Sequence, residues 1–101
     1  MPYYKNMKIL KTKKMVTVKK FSAVWCGPCR ALTPVMTEIK GQFSNVKFED
    51  YDVDEFNEEV TKYNVTSVPT IIIEKNGEIV ERFTGLSSKL AYVNAINEAI
   101  K

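Results

Sequence analysis

Apolar and polar positions follow two different periods along this chain, and the switches between them mark out its elements. Met15 to Ala23 alternates and closes on β-branched and aromatic residues, the pattern of a strand. From Pro28 to about Phe43, Leu32, Val35, Met36, Ile39 and Phe43 recur at helical spacing, so one face of that helix should be buried. Pro34 falls inside it, where the missing N–H would cost ~3 kcal/mol unless the helix kinks, and a kink is predicted there. Val46 to Val53 reads as a second strand. Asp54 is placed to cap a short helix whose Phe56, Val60 and Tyr63 fall at i, i+4 and i+7, with loop from Asn64 to Val68.

Thr70 to Glu74, with its Ile71-Ile72-Ile73 run, has the unbroken apolarity of a fully buried strand. Asn76-Gly77 is a hairpin signal, and Ile79 to Thr84 is the returning strand. Ser87 or Ser88 should cap a final helix with an apolar stripe of Leu90, Val93, Ile96 and Ile100. The predicted order is strand, helix, strand, helix, strand, strand, helix. It implies an α/β fold: a mixed sheet of at least four strands with helices on both faces, the parallel pairs joined by right-handed crossovers.

Length narrows this to one unit, since 101 residues bury a modest core and leave no room for a second domain; residues 1–101 are expected to form a single domain. Hydrophobic residues at 45% and charged residues at 27% are those of an ordinary globular chain. The 2 Cys and absent His cannot fill a four-ligand zinc or iron–sulfur site within one chain. Covalent haem attachment would need His after the second Cys, where Arg30 stands. Metal binding survives only as a site shared between two chains.

The start of the chain carries no apolar stretch of the ~7–15 residues found in secretory signals, and nowhere is there a run near ~18. A cytoplasmic protein without membrane attachment is the expectation, and in a reducing compartment two close cysteines serve catalysis or metal binding more often than stapling. Charge is uneven. Residues 1–37 carry Lys5, Lys8, Lys11, Lys13, Lys14, Lys19, Lys20 and Arg30 and no acid, whereas all 12 acids lie from Glu38 onward. Without interleaved arginines or a nucleic-acid motif, the basic head reads as solvated surface rather than a nucleic-acid footprint.

The chemistry concentrates in Trp25-Cys26-Gly27-Pro28-Cys29, at the predicted strand-to-helix turn. Thiol–disulfide exchange needs an attacking thiolate and a second thiol to resolve the mixed disulfide, and cysteines at i and i+3 provide both. At the first turn of a helix, unpaired N–H groups and the helix dipole favour the Cys26 thiolate, lowering its pKa below the ~8.5 of a free thiol. Cys29, one turn in, is then the resolving thiol. Gly27 lets a substrate backbone approach, Pro28 suits the first turn, and Trp25 supplies an apolar wall. The bland alternative is a chance pair of buried cysteines.

From about Val16 to its end, the chain resembles the thioredoxin family. The resemblance rests on Trp25-Cys26-Gly27-Pro28-Cys29, on Pro34 at the family's helix kink, on Val68-Pro69-Thr70 at its cis-proline loop, on Lys75-Asn76-Gly77-Glu78 at its hairpin and on Gly85. It implies a thioredoxin-like mixed sheet of four to five strands, a cis Val68–Pro69 bond beside the sulfurs, and a shallow groove of Trp25, Gly27, Pro28, Val68, Pro69 and Gly85. There an extended substrate segment would pair with the Val68 backbone. It also implies a protein-disulfide reductase acting on protein disulfides, with no cofactor beyond the Cys26–Cys29 couple, recharged by an external reductase such as thioredoxin reductase and working as a monomer.

Departures from the family pattern are specific. The buried aspartate usual six residues before the nucleophile is Lys20, the tryptophan two residues on is Ser22, and the lysine that partners the aspartate aligns with Asp50. Two readings stand side by side. In one, Lys20 and Asp50 meet across neighbouring strands as a reversed ion pair, Lys20 favouring both thiolates and Asp50 serving as proton acceptor for Cys29 if it reaches, directly or through water. In the other, Lys20 snorkels to solvent and Asp50 is exposed, leaving no acid–base helper. Only about fifteen residues precede the Val16 strand, so the family's first helix should be shortened to a turn or absent. Two rival functions follow: a glutathione-linked glutaredoxin-like enzyme, and a thioredoxin-fold protein-binding module that leaves its sulfurs unused.

Overall fold

The computed structural model describes residues 15–101. Lys5, Lys8, Lys11, Lys13 and Lys14 of the expected basic head, and the shortened first helix, lie outside the described residues. Within them the order is β1 (Val16–Ser22), α1 (Gly27–Gln42), β2 (Val46–Asp52), α2 (Asn57–Lys62), β3 (Thr70–Lys75), β4 (Glu78–Thr84) and α3 (Lys89–Ile100). Each predicted element is present in its predicted order. The four strands stand β2-β1-β3-β4. β1 runs parallel to β2, from Val16 opposite Val46 to Ser22 opposite Asp52, while β3 is antiparallel to both β1 and β4.

Strand alternation sorts the side chains into two cores. Val16 and Val18 of β1, Val46 of β2 and Ile71 and Ile73 of β3 pack with Leu32, Met36 and Ile39 of α1 and with Tyr92, Ile96 and Ala99 of α3. Phe21 and Ile72 point the other way, onto Tyr63, with Tyr51, Val53, Val60 and Val65 around them. Helices thus cover both faces, as an α/β sheet requires. β3 is buried from Thr70 through Glu74 because it lies inside the sheet with packed faces above and below. Each isoleucine in that run contributes on the order of 1.5–3 kcal/mol by leaving water.

α1 continues as one helix on both sides of Pro34, whose missing N–H leaves the Arg30 carbonyl without its usual partner. The β3–β4 turn takes left-handed backbone at Asn76 (φ 54°) and Gly77 (φ 88°), the pair of conformations that a tight hairpin needs.

Two local expectations are corrected. Leu90 is 67% exposed, and the buried stripe of α3 is Tyr92, Ile96 and Ala99. Asp54 does not cap α2, which starts after Phe56 with no side-chain cap; its carboxylate is engaged with Trp25 instead. Ser88 does cap α3, its hydroxyl accepting from the Ala91 N–H at 3.1 Å.

The face away from α1 encloses charges that need partners. Lys19 Nζ lies 2.9 Å from Glu49 Oε1 and 3.7 Å from Glu74 Oε1, and stands over the Tyr51 and Tyr63 rings. Burial works against its charge, but hydrogen bonds with Glu49, Tyr63 and Tyr51 outweigh it and hold the Lys19 pKa above its ordinary value. Glu49 is pulled down to about 2 by the Tyr51 hydroxyl, which donates to it, and then by Lys19.

Candidate active site

β1 ends at Ser22, and the chain turns through Ala23, Val24 and Trp25 into α1. The Cys26 N–H donates to the Ala23 carbonyl at 3.1 Å, closing that turn. Cys26 is the N-cap of α1, with extended backbone. An N-cap side chain ordinarily accepts from an N–H that the first turn leaves orphaned. Here the acceptor is sulfur: the Cys29 N–H donates to Cys26 Sγ at 3.1 Å. Pro28 occupies the position between, where an N–H would have no helical partner.

Cys26 and Cys29 are joined as a disulfide, their Cα atoms 5.3 Å apart. Both sulfurs are recessed, Cys26 being only 5% exposed and Cys29 4%. Both sit in a small apolar cluster with Ala23, against which Val53 and Val68 pack. What projects into solvent is the rim: Trp25, Gly27 and Pro28. Trp25 is 64% exposed and is held by its indole N–H, which donates to Asp54 Oδ2 at 2.9 Å. An approaching chain therefore meets a fixed aromatic edge before it reaches the sulfur.

The opposite wall comes from the segment before β3. The Val68–Pro69 peptide bond is cis, Pro69 is buried and Val68 half-buried against the two cysteines. Thr70 Oγ1 donates to the Ser67 carbonyl at 2.7 Å, and the Gly85 N–H to the Pro69 carbonyl at 2.8 Å. Gly85 has φ 85°, a conformation that favours glycine, and follows β4 directly. Val68 thus packs against the two cysteines, with Gly85 tied to Pro69 beside it, while Trp25, Gly27 and Pro28 flank the sulfurs along the chain. On the Trp25 side lies an open hollow of about 260 Å³, lined by Trp25, Val53, Val60, Val65 and Val68 with Thr66 and Ser67.

Lys20 and Asp50 face each other in the parallel register, with Nζ 3.7 Å from Oδ1. The Lys20 side chain is 13% exposed and that of Asp50 77%, so the pair reaches from beneath α1 out to solvent. They line a cleft of about 130 Å³ together with Thr33, Met36 and Thr37 of α1. Cys29 lines a different cleft, of about 390 Å³, shared with Ser22, Arg30, Thr33 and Asp52. Sequence reasoning passed over Asp52. The signal was present, because Asp52 is two residues beyond Asp50 on the same strand and so on the same face, opposite the small Ser22. Among the described residues no group of His, Cys, Asp or Glu could hold a metal ion, and no helix is long and apolar enough to cross a membrane.

The comparisons with known proteins agree with this geometry. The thioredoxin family model matches residues 4–98. Thioredoxin of Bacillus subtilis strain 168 is 38% identical over 88 residues, covering 86% of this chain and 85% of that protein. The X-ray structure of Fasciola hepatica thioredoxin superposes with a TM-score of 0.79 at 33% identity, covering 93% of this chain and 90% of the other. Oxidised mitochondrial thioredoxin 3 of Saccharomyces cerevisiae gives a TM-score of 0.77 at 28% identity over 93% and 88% of the two chains.

Proposed function

The chain belongs to the thioredoxin family and is a thiol–disulfide oxidoreductase of that type, and from this premise we propose how its residues divide the work of reducing a protein disulfide. Cys26 is the attacking sulfur. The observation that carries this is the bond from the Cys29 N–H to Cys26 Sγ at the start of α1, since an N–H aimed at sulfur stabilises thiolate more than thiol. The helix dipole adds to the same preference. Among the described residues Cys29 Sγ receives no such bond, and Cys29 resolves.

The cycle balances as two exchanges. Cys26 thiolate attacks one sulfur of the substrate disulfide, that S–S bond breaks, and the departing thiolate takes a proton from water. Cys29 then loses its proton and attacks Cys26 Sγ, releasing the second substrate thiol and forming the Cys26–Cys29 disulfide. The substrate gains two electrons and the enzyme dithiol loses them. A dithiol-delivering external reductase, of the thioredoxin reductase kind, restores the starting state.

The groove of Trp25, Gly27, Pro28, Val68, Pro69 and Gly85 receives the substrate as an extended segment, with the Val68 backbone as its pairing strand. Because Cys26 is recessed behind this rim, a substrate disulfide has to be carried in on a flexible or locally opened stretch of chain. Lys20 acts through its field: a positive charge under α1 favours thiolates, and Asp50 offsets part of it. Residues 1–101 work as one domain and as a monomer in the cytoplasm. The test is insulin-disulfide reduction by Cys26→Ser, which loses activity entirely on this reading; surviving activity would refute it, and turnover with glutathione alone would favour a glutaredoxin-like reaction.

A further inference from the structure

Resolution of the mixed disulfide requires Cys29 to lose a proton, and the strand under α1 carries Lys20 where a carboxylate is usual in the family. The sequence offers Asp50 instead. In the structure, however, Asp50 lines the Lys20 cleft, which Cys29 does not line, and its side chain lies 77% in solvent. The carboxylate that does share a cleft with Cys29 is that of Asp52.

We infer that Asp52 is the proton acceptor for Cys29, directly or through one water in that cleft, an inference that rests on the assignment of Cys29 as resolving thiol. Three observations converge. Asp52 stands at the end of β2 opposite Ser22, on the face turned to α1, one side-chain repeat nearer the active-site end of the sheet than Asp50. Ser22 is small, which leaves the cleft of about 390 Å³ open between the end of β1 and α1, wide enough to admit water to a cysteine otherwise 4% exposed. Asp52 is also held in place: its Oδ1 accepts from the Asp54 N–H at 2.9 Å, leaving Oδ2 for the proton.

The charged groups around it come from α1, β1 and the loop after β2. From α1, Arg30 lines the same cleft, its guanidinium fixed by donation to the Val24 carbonyl at 3.1 Å. From β1, Lys20 stands in the adjoining cleft beyond Thr33, paired with Asp50 of β2. Asp54 follows on the same loop with its carboxylate turned to Trp25, and Cys26 at the start of α1 is the sulfur under attack. In the step itself the Cys29 S–H bond breaks, its proton moves to Asp52, and the Cys29 sulfur bonds Cys26 Sγ as the bond from Cys26 to the substrate sulfur breaks. No further oxidant is needed.

The experiment is the pH profile of insulin-disulfide reduction by the full chain carrying Asp52→Asn, in which the amide oxygen still accepts from the Asp54 N–H. Reduction at pH 7 should fall roughly tenfold or more, with the Cys26–substrate mixed disulfide accumulating in acid-quenched samples, and the deficit should close towards pH 9 as Cys29 ionises unaided. Asp52→Glu should recover much of the pH 7 rate. Should the amide variant fail to fold, Asp52→Ser, able to keep the turn, carries the same expectation. A parental profile, a deficit equal at every pH, or a pH-dependent deficit in Asp50→Asn in place of Asp52→Asn would each overturn the inference. Loss of all activity in Cys26→Ser would stand in any of these cases, so the two readings fail separately.

Discussion

Lys20 of β1 and Asp50 of β2 stand opposite one another in the parallel ladder with charges reversed from the family pattern, Nζ 3.7 Å from Oδ1, the lysine mostly enclosed and the aspartate mostly in water. A half-exposed pair of this kind adds little to stability, about 1 kcal/mol or less. Its consequence lies in the field beneath α1. Where a carboxylate there would oppose a second negative charge on sulfur, an ammonium favours it.

Replacing Lys20 by Met removes that field while keeping a long apolar stem. The pH midpoint of insulin reduction should move up by about half a unit, with the melting temperature nearly unchanged because the pair is screened. An unaltered profile would show that the Lys20 charge does not reach the sulfurs.

Trp25 is fixed by its indole N–H to Asp54, 2.9 Å away, and forms the exposed edge of the groove. Asp54→Ala should free the ring and raise KM for a protein disulfide several-fold, with a smaller change in reduction of a small-molecule disulfide that needs no groove. Equal effects on both substrates would place the role of Asp54 in the chemistry rather than in recognition.

Acid should weaken the sheet through Glu49. Its pKa lies at about 2 in the folded chain, below the ordinary carboxylate value, because Tyr51 and Lys19 hydrogen-bond to the ionised form. A lowered folded-state pKa means stabilisation that is complete above the unfolded value of ~4.3 and lost as pH falls towards 2. Since Glu49 is still partly in water, screening reduces the effect to about 1 kcal/mol. Glu49→Gln should therefore lower stability at pH 7 by about that amount and flatten its fall between about pH 4 and 2, as followed by urea unfolding; equal slopes for parent and variant would refute this.

Much of this molecule could be read along the chain. Ile71-Ile72-Ile73 signals a strand buried on both faces because consecutive β-branched residues favour extended backbone and alternate strand positions then point apolar groups to both sides, and Asn76-Gly77 supplies two residues that tolerate left-handed backbone. The motif from Trp25 to Cys29 places its chemistry at a helix start because Pro28 and the N-cap position of Cys26 are local properties. The remainder depends on what packs against what. Leu90, Val93, Ile96 and Ile100 fit a helical stripe as well as Tyr92, Ile96 and Ala99 do, and only the position of Phe83 and the sheet beneath α3 decides between them. Asp54 has the chemistry of a cap, yet the Trp25 indole, brought near by the fold, takes its carboxylate. Alternation puts Asp52 on the same face as Asp50, but which cleft each borders is set by packing, and no periodicity reports that.

The most direct test of the division of labour at the site is the pH dependence of alkylation of the reduced protein by iodoacetamide, with the modified cysteine located by mass spectrometry. Cys26 should react first, with a midpoint below the ~8.5 of an ordinary thiol and Cys29 modified only at higher pH. Modification of Cys29 ahead of Cys26, or a Cys26 midpoint at or above that of a free thiol, would contradict an attacking sulfur ionised by the N–H groups at the start of α1.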